Sequence, residues 1–591
     1  MRRFFWASVI VITLAASSSA WQKEASFPDW KGYTDDTLAM NSMMSFMFWH
    51  GQGKVKVEVS GQVHSFRMFI NGHPLDTSRM KPGGVYEADI SSWTADGVNT
   101  LQVSNIEPLG LKDAVKISVP YPIVLAGRPE DEGINPESLA LIGDIISSDI
   151  AHGFPGAQLA VIRNGRMVYS SAWGTTDTST PDSPKVTRET LYDLASVTKV
   201  LAINFAVQKL VTDGRLDVDA KIADILGRGF LEGPSRAWKS SITVRDVMCH
   251  RAGNPAEVHY YDPANALFTG TTPSPETRAK TFRAILKTPL SYEPRTKILY
   301  SDVDFMLMCF VVEKVSGKPL DEYLAENFWR PMGLARVTFK PLEHGFLPDE
   351  IAATEIDGNI TTRGKKVYFP GLRDYVLKGE VHDEKAYHSM NGVSGHAGLF
   401  ANAESAALLM SVMLTGGWGE HKFFSRNVID TFTAPQDKAK GQWGLGWWRE
   451  GDDGRLWYFG GQASSGAFGH QGFTGVLVMA DPAKNLVIAY FTNKLNTPAV
   501  LPLSGKRTFE GSWFTASTLG FAAQILGVGM DSRESVTEQL RALREDMAAE
   551  SLRLIPAGAK RGHPAVRNAE SKIALLDDEG AAAKLREKLP K

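Results

Sequence analysis

Ser196 and Lys199 stand three residues apart in Leu191-Tyr-Asp-Leu-Ala-Ser-Val-Thr-Lys199, just ahead of the apolar run Val200, Leu201, Ala202, Phe205, Ala206 and Leu210. The run has helical spacing, and residues at i and i+3 share a face of a helix. A serine hydroxyl at its free pKa is a poor nucleophile. An amine one turn away, partly desolvated so that its pKa falls, can act as its base. A serine at a helix start also has free N–H groups and the positive dipole end beside it, and both favour a developing oxyanion. The same spacing is equally that of a capping serine beside a solvated lysine, so the rest of the chain has to decide.

Two further constellations lie downstream. Ile298-Leu-Tyr300-Ser301-Asp302 directly precedes the apolar stretch Val303 to Val315. Its bland reading is a capped helix start with Ser301 or Asp302 as the cap. Phe468-Gly-His470-Gln471-Gly472-Phe473-Thr474-Gly475 is followed by Val476-Leu-Val-Met-Ala and then Leu486-Val-Ile-Ala-Tyr-Phe-Thr. Apolar strands around turns make a sheet-edge hairpin there, and a glycine in such a strand lets another backbone approach closely. His382, Asp383, Glu384, His388 and His396 gather acids and imidazoles, but their spacing lies on no evident helix and matches no metal-ligand motif. They are read as a cleft wall or as structural hydrogen-bonding groups, and neither a metal nor a cofactor is expected.

These residues need elements to hold them. Leu139 to Ile150 has helical spacing; Gly156 to Ile162 and Met167 to Trp173 read as strands joined by an Asn164-Gly165 turn. A hairpin feeding a helical region, with more strands near the carboxyl end, predicts an antiparallel sheet covered by helices, an α+β architecture. From about Val55 to Pro122 the pattern is instead short period-two runs (Val55, Val57, Val59; Phe66, Met68, Ile70; Val115, Ile117, Val119) separated by turn signals, which predicts a small all-β sandwich. Within it, Phe69-Ile-Asn-Gly-His-Pro, Asp89-Ile-Ser-Ser-Trp and Gly97-Val-Asn-Thr-Leu-Gln-Val loosely resemble the jelly-roll accessory domains of some glycoside hydrolases. Trp93 then either meets glycan or packs in the core.

With 591 residues, 43% hydrophobic and 22% charged, the chain has the composition of a soluble globular protein of two or three domains. Its net charge of -2 gives no reason to expect nucleic acid as a partner. Arg2 and Arg3, an apolar run from Phe4 to Ala16 and the small residues Ser18-Ser19-Ala20 read as a cleaved secretory leader, hence a secreted or periplasmic protein. The two cysteines, Cys249 and Cys309, sit in separate apolar segments and read as buried thiols. The predicted layout is a leader at 1–20, a β-sandwich at 21–125, a hydrolase domain at 126–530 and a charged helical tail at 531–591 with solvated helices.

Taken together, Ser-x-x-Lys, Tyr300-Ser-Asp and His470-x-Gly resemble, in order, the three motifs of the β-lactamase-related serine hydrolases over roughly residues 130 to 525. Met248-Cys-His-Arg-Ala-Gly253, Ile351-Ala-Ala-Thr354, Val381-His-Asp-Glu384 and Gly392-Val-Ser-Gly-His-Ala-Gly-Leu-Phe400 resemble the penicillin-binding protein 4B group of that family. The resemblance implies a β-lactamase/transpeptidase-like domain with Ser196 as nucleophile, Lys199 as its base and Tyr300 as proton shuttle. It implies that His470 and Gly472 line the binding strand, that the N–H groups of Ser196 and Phe473 form the oxyanion hole, and that Asp302 and His396 border the site. Asp302 stands where class C enzymes carry asparagine, and its charge beside Lys199 would raise the lysine's pKa. The implied activity is a D-alanyl-D-alanine carboxypeptidase on peptidoglycan peptides, acylated by β-lactam antibiotics. An esterase, a β-lactamase or a muramyl-peptide amidase of the same fold is the alternative, as is a non-catalytic peptidoglycan-binding or glycan-binding protein.

Overall fold

The computed structural model describes residues 21–27, 42–108, 110–111, 113–358, 361–362, 365–366, 369–437, 441–450, 456–500, 508–530 and 535–590. The leader read at 1–20 lies outside them. No helix among the described residues is long and apolar enough to cross a membrane. The chain divides into two units, one running to Tyr121 and including Gly419–Lys422, the other made of Pro122–Trp418 and Phe423–Lys591.

The first unit contains two four-stranded antiparallel sheets. One orders Lys23–Phe27, Val115–Val119, Lys54–Val59 and Val85–Asp89; the other orders Ser42–Phe48, Gly97–Glu107, Ser65–Ile70 and His73–Leu75. Val55, Val57 and Val59 point into a core shared with Phe66, Met68, Ile70, Leu101 and Ile117. The intervening Lys54 and Lys56 point outward and pair with Glu87 and Glu58. Trp93 is half-buried against this core, as a packing residue would be.

The second unit is built on one seven-stranded sheet. In chain order its elements are β1 (Leu125–Ala126), α1 (Pro136–Ala151), β2 (Gly156–Arg163), β3 (Arg166–Gly174), α2 (Phe205–Thr212), α3 (Asp302–Ser316), α4 (Ala403–Thr415), β4 (Trp448–Arg449), β5 (Phe468–Gly472), β6 (Val476–Asp481), β7 (Leu486–Thr492) and α5 (Phe521–Gly529). The strands lie in the order β4, β5, β6, β7, β2, β3, β1, antiparallel except for the short β3–β1 pair. Asn164 and Gly165 both have positive φ, 46° and 67°, which is what a tight hairpin turn matching the strand twist requires.

Alternation along these strands separates two cores. Ala157, Leu159 and Val161 of β2, Leu477 and Met479 of β6, and Ile488 and Tyr490 of β7 face α1 and α5. Ala160 and Ile162, Val476 and Val478, and Val487, Ala489 and Phe491 face α2, α3 and α4. A sheet buried on both faces needs apolar residues at every position, so these strands read as unbroken hydrophobic runs. α3 is buried nearly all round, from Val303 to Val312, and is capped by Ser301, whose side chain accepts from the Asp304 N–H. Cys249 and Cys309 are both free and buried.

The carboxyl-terminal region differs from the expectation of solvated helices. It forms α6 (Val536–Arg553), α7 (Pro564–Ile573) and α8 (Glu579–Arg586). α6 is mostly solvated, but α7 buries Val566, Ala569, Ser571, Lys572 and Ile573. Lys572 pairs with the fully buried Asp149 of α1, 423 residues earlier. Local charge spacing cannot disclose a partner at that separation, so the charged sequence reads as surface when part of it is docked.

Candidate active site

Ser196 sits in a short 3₁₀ turn, Ala195–Val197, which leads into a wide π-type turn over Lys199–Asn204 before α2 begins. Ala195 has φ of 42°, a left-handed conformation that costs a residue with a Cβ roughly 1–2 kcal/mol. The buried carboxylate of Asp193 holds this conformation, accepting from the N–H of Ala195 at 2.7 Å and of His382 at 2.6 Å. The Asp193 carbonyl also accepts from the Thr474 hydroxyl at 2.7 Å. One residue therefore ties the serine turn to the β5–β6 turn and to the His382 segment.

Lys199 is fully buried, while Ser196 keeps partial exposure. The lysine ammonium donates to Ser196 Oγ at 2.9 Å, to Asp302 Oδ1 at 2.9 Å and to the His396 carbonyl at 3.2 Å. Those are the three bonds an ammonium can give. Lys199 Nζ lies 4.7 Å from the centre of the Tyr300 ring, and Lys199 and Ser196 are close enough to the phenol to favour its ionised form. Serine and lysine are thus hydrogen-bonded, and the tyrosine is electrostatically coupled to them.

Charge sets the resting state of this network. Burial alone would push Lys199 down, but Asp302 and Tyr300 outweigh it and hold its pKa above the ordinary value. Burial likewise pushes Asp302 up, and Lys199, Lys385 and His396 overcome that, holding the carboxyl below the usual range. Tyr300 is raised, chiefly by burial, so it rests as a phenol. The resting site is therefore an ammonium–carboxylate pair beside a neutral phenol. Taking a proton from Ser196 requires a form that has lost one more proton, on Lys199 or on Tyr300.

Asp302 is shared. Lys385, also buried, lies 3.3 Å from Asp302, 3.0 Å from Asp383 and 3.5 Å from Glu257. Asp383 also meets His396 Nε2 at 2.9 Å. Burial by itself would lower Lys385, but Asp383, Asp302 and Glu257 carry it well above its ordinary value. Asp302, Asp383 and His396 offer ligand atoms within 4.8 Å of one another, a spacing a cation could use. The two lysine ammonium groups already supply the positive charge that these carboxylates call for.

Gly472 and His470 occupy the site differently from the expectation that they line a substrate strand. A Cβ on Gly472 would meet the Leu194 carbonyl at 2.4 Å and Ala195 Cβ at 3.2 Å. The glycine is needed because β5 runs against the serine turn itself. His470 is fully buried, with its ring 4.5 Å from that of Trp448 and 6.0 Å from that of Tyr300, so it backs the tyrosine from inside. His396 is also buried; it reaches Lys199 through its carbonyl and spends its ring on Asp383 and Ser394. Phe473 is the exposed member, 59% accessible, with its ring 5.6 Å from that of His382.

Ser196, Lys199, Tyr300, Asp302 and the His396 carbonyl thus come together as one centre, with β5 against it. The five-residue acid and histidine cluster does not stay together. His382 pairs with Glu355, while His388 bonds the Thr271 carbonyl and packs among Tyr261, Phe369 and Tyr387. Lys385, Glu257 and Asp193 were not singled out from sequence. Of these, Asp193 lies inside the Ser196 stretch and was within reach; Lys385 and Glu257 meet only through the fold.

The chain is similar to known proteins over its second unit. The β-lactamase family profile matches residues 142–507. A candidate D-alanyl-D-alanine carboxypeptidase of Escherichia coli (strain K12) is 40% identical over 411 residues, 68% of this chain and 92% of the relative. An N-acetylmuramyl-L-alanine amidase of Bacillus subtilis (strain 168) is 42% identical over 392 residues, 65% of this chain and 87% of the relative. Among solved structures, a penicillin-binding protein homologue from Caulobacter crescentus superposes with a TM-score of 0.47 at 21% identity, covering 61% of this chain and 93% of that one.

Proposed function

We propose, for a chain that belongs to the β-lactamase family and is a serine hydrolase of the penicillin-binding type, that Ser196 is the nucleophile and that the substrate is the D-alanyl-D-alanine end of cell-wall peptides. The observation that carries the nucleophile is Lys199 Nζ at 2.9 Å from Ser196 Oγ, with the centre of the Tyr300 ring 4.7 Å from the same Nζ. Ser196 Oγ attacks the carbonyl carbon of the penultimate D-alanine, and its proton passes through the Lys199–Tyr300 pair to the leaving nitrogen. The C–N bond breaks, terminal D-alanine departs as a neutral or protonated amine, and an ester to Ser196 remains. Water then attacks that ester; its proton returns to Ser196 Oγ through the same pair, and the carboxylate product leaves. The N–H groups of Ser196 and Phe473 are assigned to the oxyanion, where losing one donor typically costs on the order of 100- to 1000-fold.

The substrate class rests on the relatives, and with it an extracytoplasmic location and acylation by β-lactams. The similarity to a muramyl-alanine amidase supports a second reading, cleavage of the amide between muramic acid and L-alanine. The test is incubation with a fluorescent penicillin and mass spectrometry of the intact protein, alongside turnover of a D-Ala-D-Ala peptide and a muramyl peptide by the parent and by Ser196→Ala. The expected result is one adduct on Ser196, release of D-alanine by the parent and none by the variant. Release of L-alanine peptides from the muramyl substrate with no release of D-alanine selects the amidase reading. A Ser196→Ala variant as active as the parent overturns the nucleophile.

A further inference from the structure

Lys494 lies two residues beyond the end of β7, outside the Ser196 network. Its stem runs under the β5–β6 turn: a Cβ on Gly475 would meet Lys494 Cγ at 2.9 Å and Cδ at 3.1 Å. That turn holds Phe473, whose N–H is assigned to the oxyanion. Lys494 also lines a cavity of about 400 Å³, together with Gln471 from β5, Tyr458, Trp513, Thr515 and Asn568. The cavity therefore abuts the strand and the turn that border the serine.

Three features of this cavity point to an anion. Among the described residues that line it, Lys494 is the one charged side chain and none is a carboxylate. Among the described residues the Lys494 ammonium has no hydrogen-bond or ion-pair partner, unlike the buried Lys199, Lys385 and Lys572. Burial pushes its amine down to about 8, with no neighbouring charge to offset the cost. Lys494 is half-buried, so its ammonium is partly withdrawn from water without a counter-charge, and a bound carboxylate offsets that cost while gaining a charge-assisted bond. Hydroxyl and amide groups of Gln471, Thr515 and Asn568 complete a polar wall. Ser512 to Leu519, with residues of α6 and α7, close the cavity, all beyond residue 507, where the family match ends.

We propose that this cavity is a carboxylate subsite for the peptide substrate, with Lys494 as its charge partner. The inference rests on the peptide-hydrolase reading above and adds which group of the peptide is held. Two carboxylates have the right chemistry, the terminal one on the departing residue and a side-chain one within the stem peptide.

The experiment uses the full chain and three peptides: one with both carboxylates free, one with the terminus as carboxamide, and one with the side-chain carboxylate as carboxamide. Parent, Lys494→Met and Lys494→Arg are compared by kcat/KM, and the same peptides are titrated by calorimetry into versions also carrying Ser196→Ala. The readout is the ratio of free to masked peptide, so a general loss of rate does not imitate it. The parent should favour the free peptide over one masked form by about tenfold or more, as expected for a hydrogen bond to a charged group. Lys494→Met should bring that ratio to within about twofold and Lys494→Arg should restore most of it. Whichever mask matters identifies the carboxylate. A parent indifferent to both masks, or a Lys494→Met variant that keeps the ratio, overturns the proposal. Absence of turnover with an intact affinity ratio would instead sink the hydrolytic reading and leave the subsite standing.

Discussion

Lys199 can act as a base only after losing a proton that Asp302 helps it keep. If the alkaline-rising limb of kcat/KM reports that proton, Asp302→Asn should move the limb to lower pH. The sign follows from the neighbours: removing the carboxylate leaves the Lys199 and Lys385 ammonium groups facing each other with Asp383, Glu257 and His396 behind Lys385. Each cation lowers the other's pKa, and one unit corresponds to about 1.4 kcal/mol. Lys385→Met should move the limb the opposite way, because Asp302, Asp383 and Glu257 then act on Lys199 with no second cation to share them. Lys385→Arg should leave it in place, and the double variant Asp302→Asn/Lys385→Met should fall between the singles. A pH profile of penicillin acylation measures all four. Shifts of the same sign for both singles would mean that the limb belongs to another group, and a flat loss of rate at every pH would give the Asp302 carboxylate a positional role.

At the scale of elements, the serine turn and β5 are held in register by close contact. Gly472→Ala places a methyl group against the Leu194 carbonyl and against Val476 Cγ2, at 2.4 and 2.6 Å, so the strand must move away. Misplacing catalytic groups by about 1 Å costs on the order of 100-fold. The expected outcome is an acylation rate lower by roughly that factor, measured by stopped-flow with a fluorescent penicillin, in a protein that still folds. A rate within threefold of the parent would mean that the turn tolerates the shift. This contact also marks where sequence reading stopped. The strands and the Asn164-Gly165 hairpin were legible because short apolar runs and turn residues are local signals, and the apolar helix after Tyr300 because its run is long. The presence of Gly472 and His470 was legible too, but their roles were not. A glycine pressed on a substrate and one pressed on Leu194 leave the same letter, and the burial of His470 depends on Trp448 and Tyr300 from two other segments. The π-type turn after Lys199 has no sequence signal distinct from ordinary helix.

The whole second unit depends on a closure that spans most of its length. Asp149 of α1 is fully buried and accepts from the Ala516 N–H at 2.8 Å, from Ser571 Oγ at 2.7 Å and from the Lys572 ammonium. It thereby joins the helix that covers the sheet to the segment before α5 and to α7, which supplies Asn568 to the Lys494 cavity. Asp149→Ala leaves that ammonium buried without a counter-charge and the Ala516 N–H without its acceptor. Breaking a buried pair in this way costs about 3–5 kcal/mol. Urea unfolding followed by loss of penicillin acylation should show an unfolding free energy lower by that amount, with proteolysis beginning between α5 and α8. In Asp149→Ala/Lys572→Met the stranded charge is gone, and a large share of the stability should return, as apolar replacement of a buried pair commonly allows. A single variant within about 1 kcal/mol of the parent would mean that α7 is held by its apolar face, Val566, Ala569 and Ile573, without need of the charge.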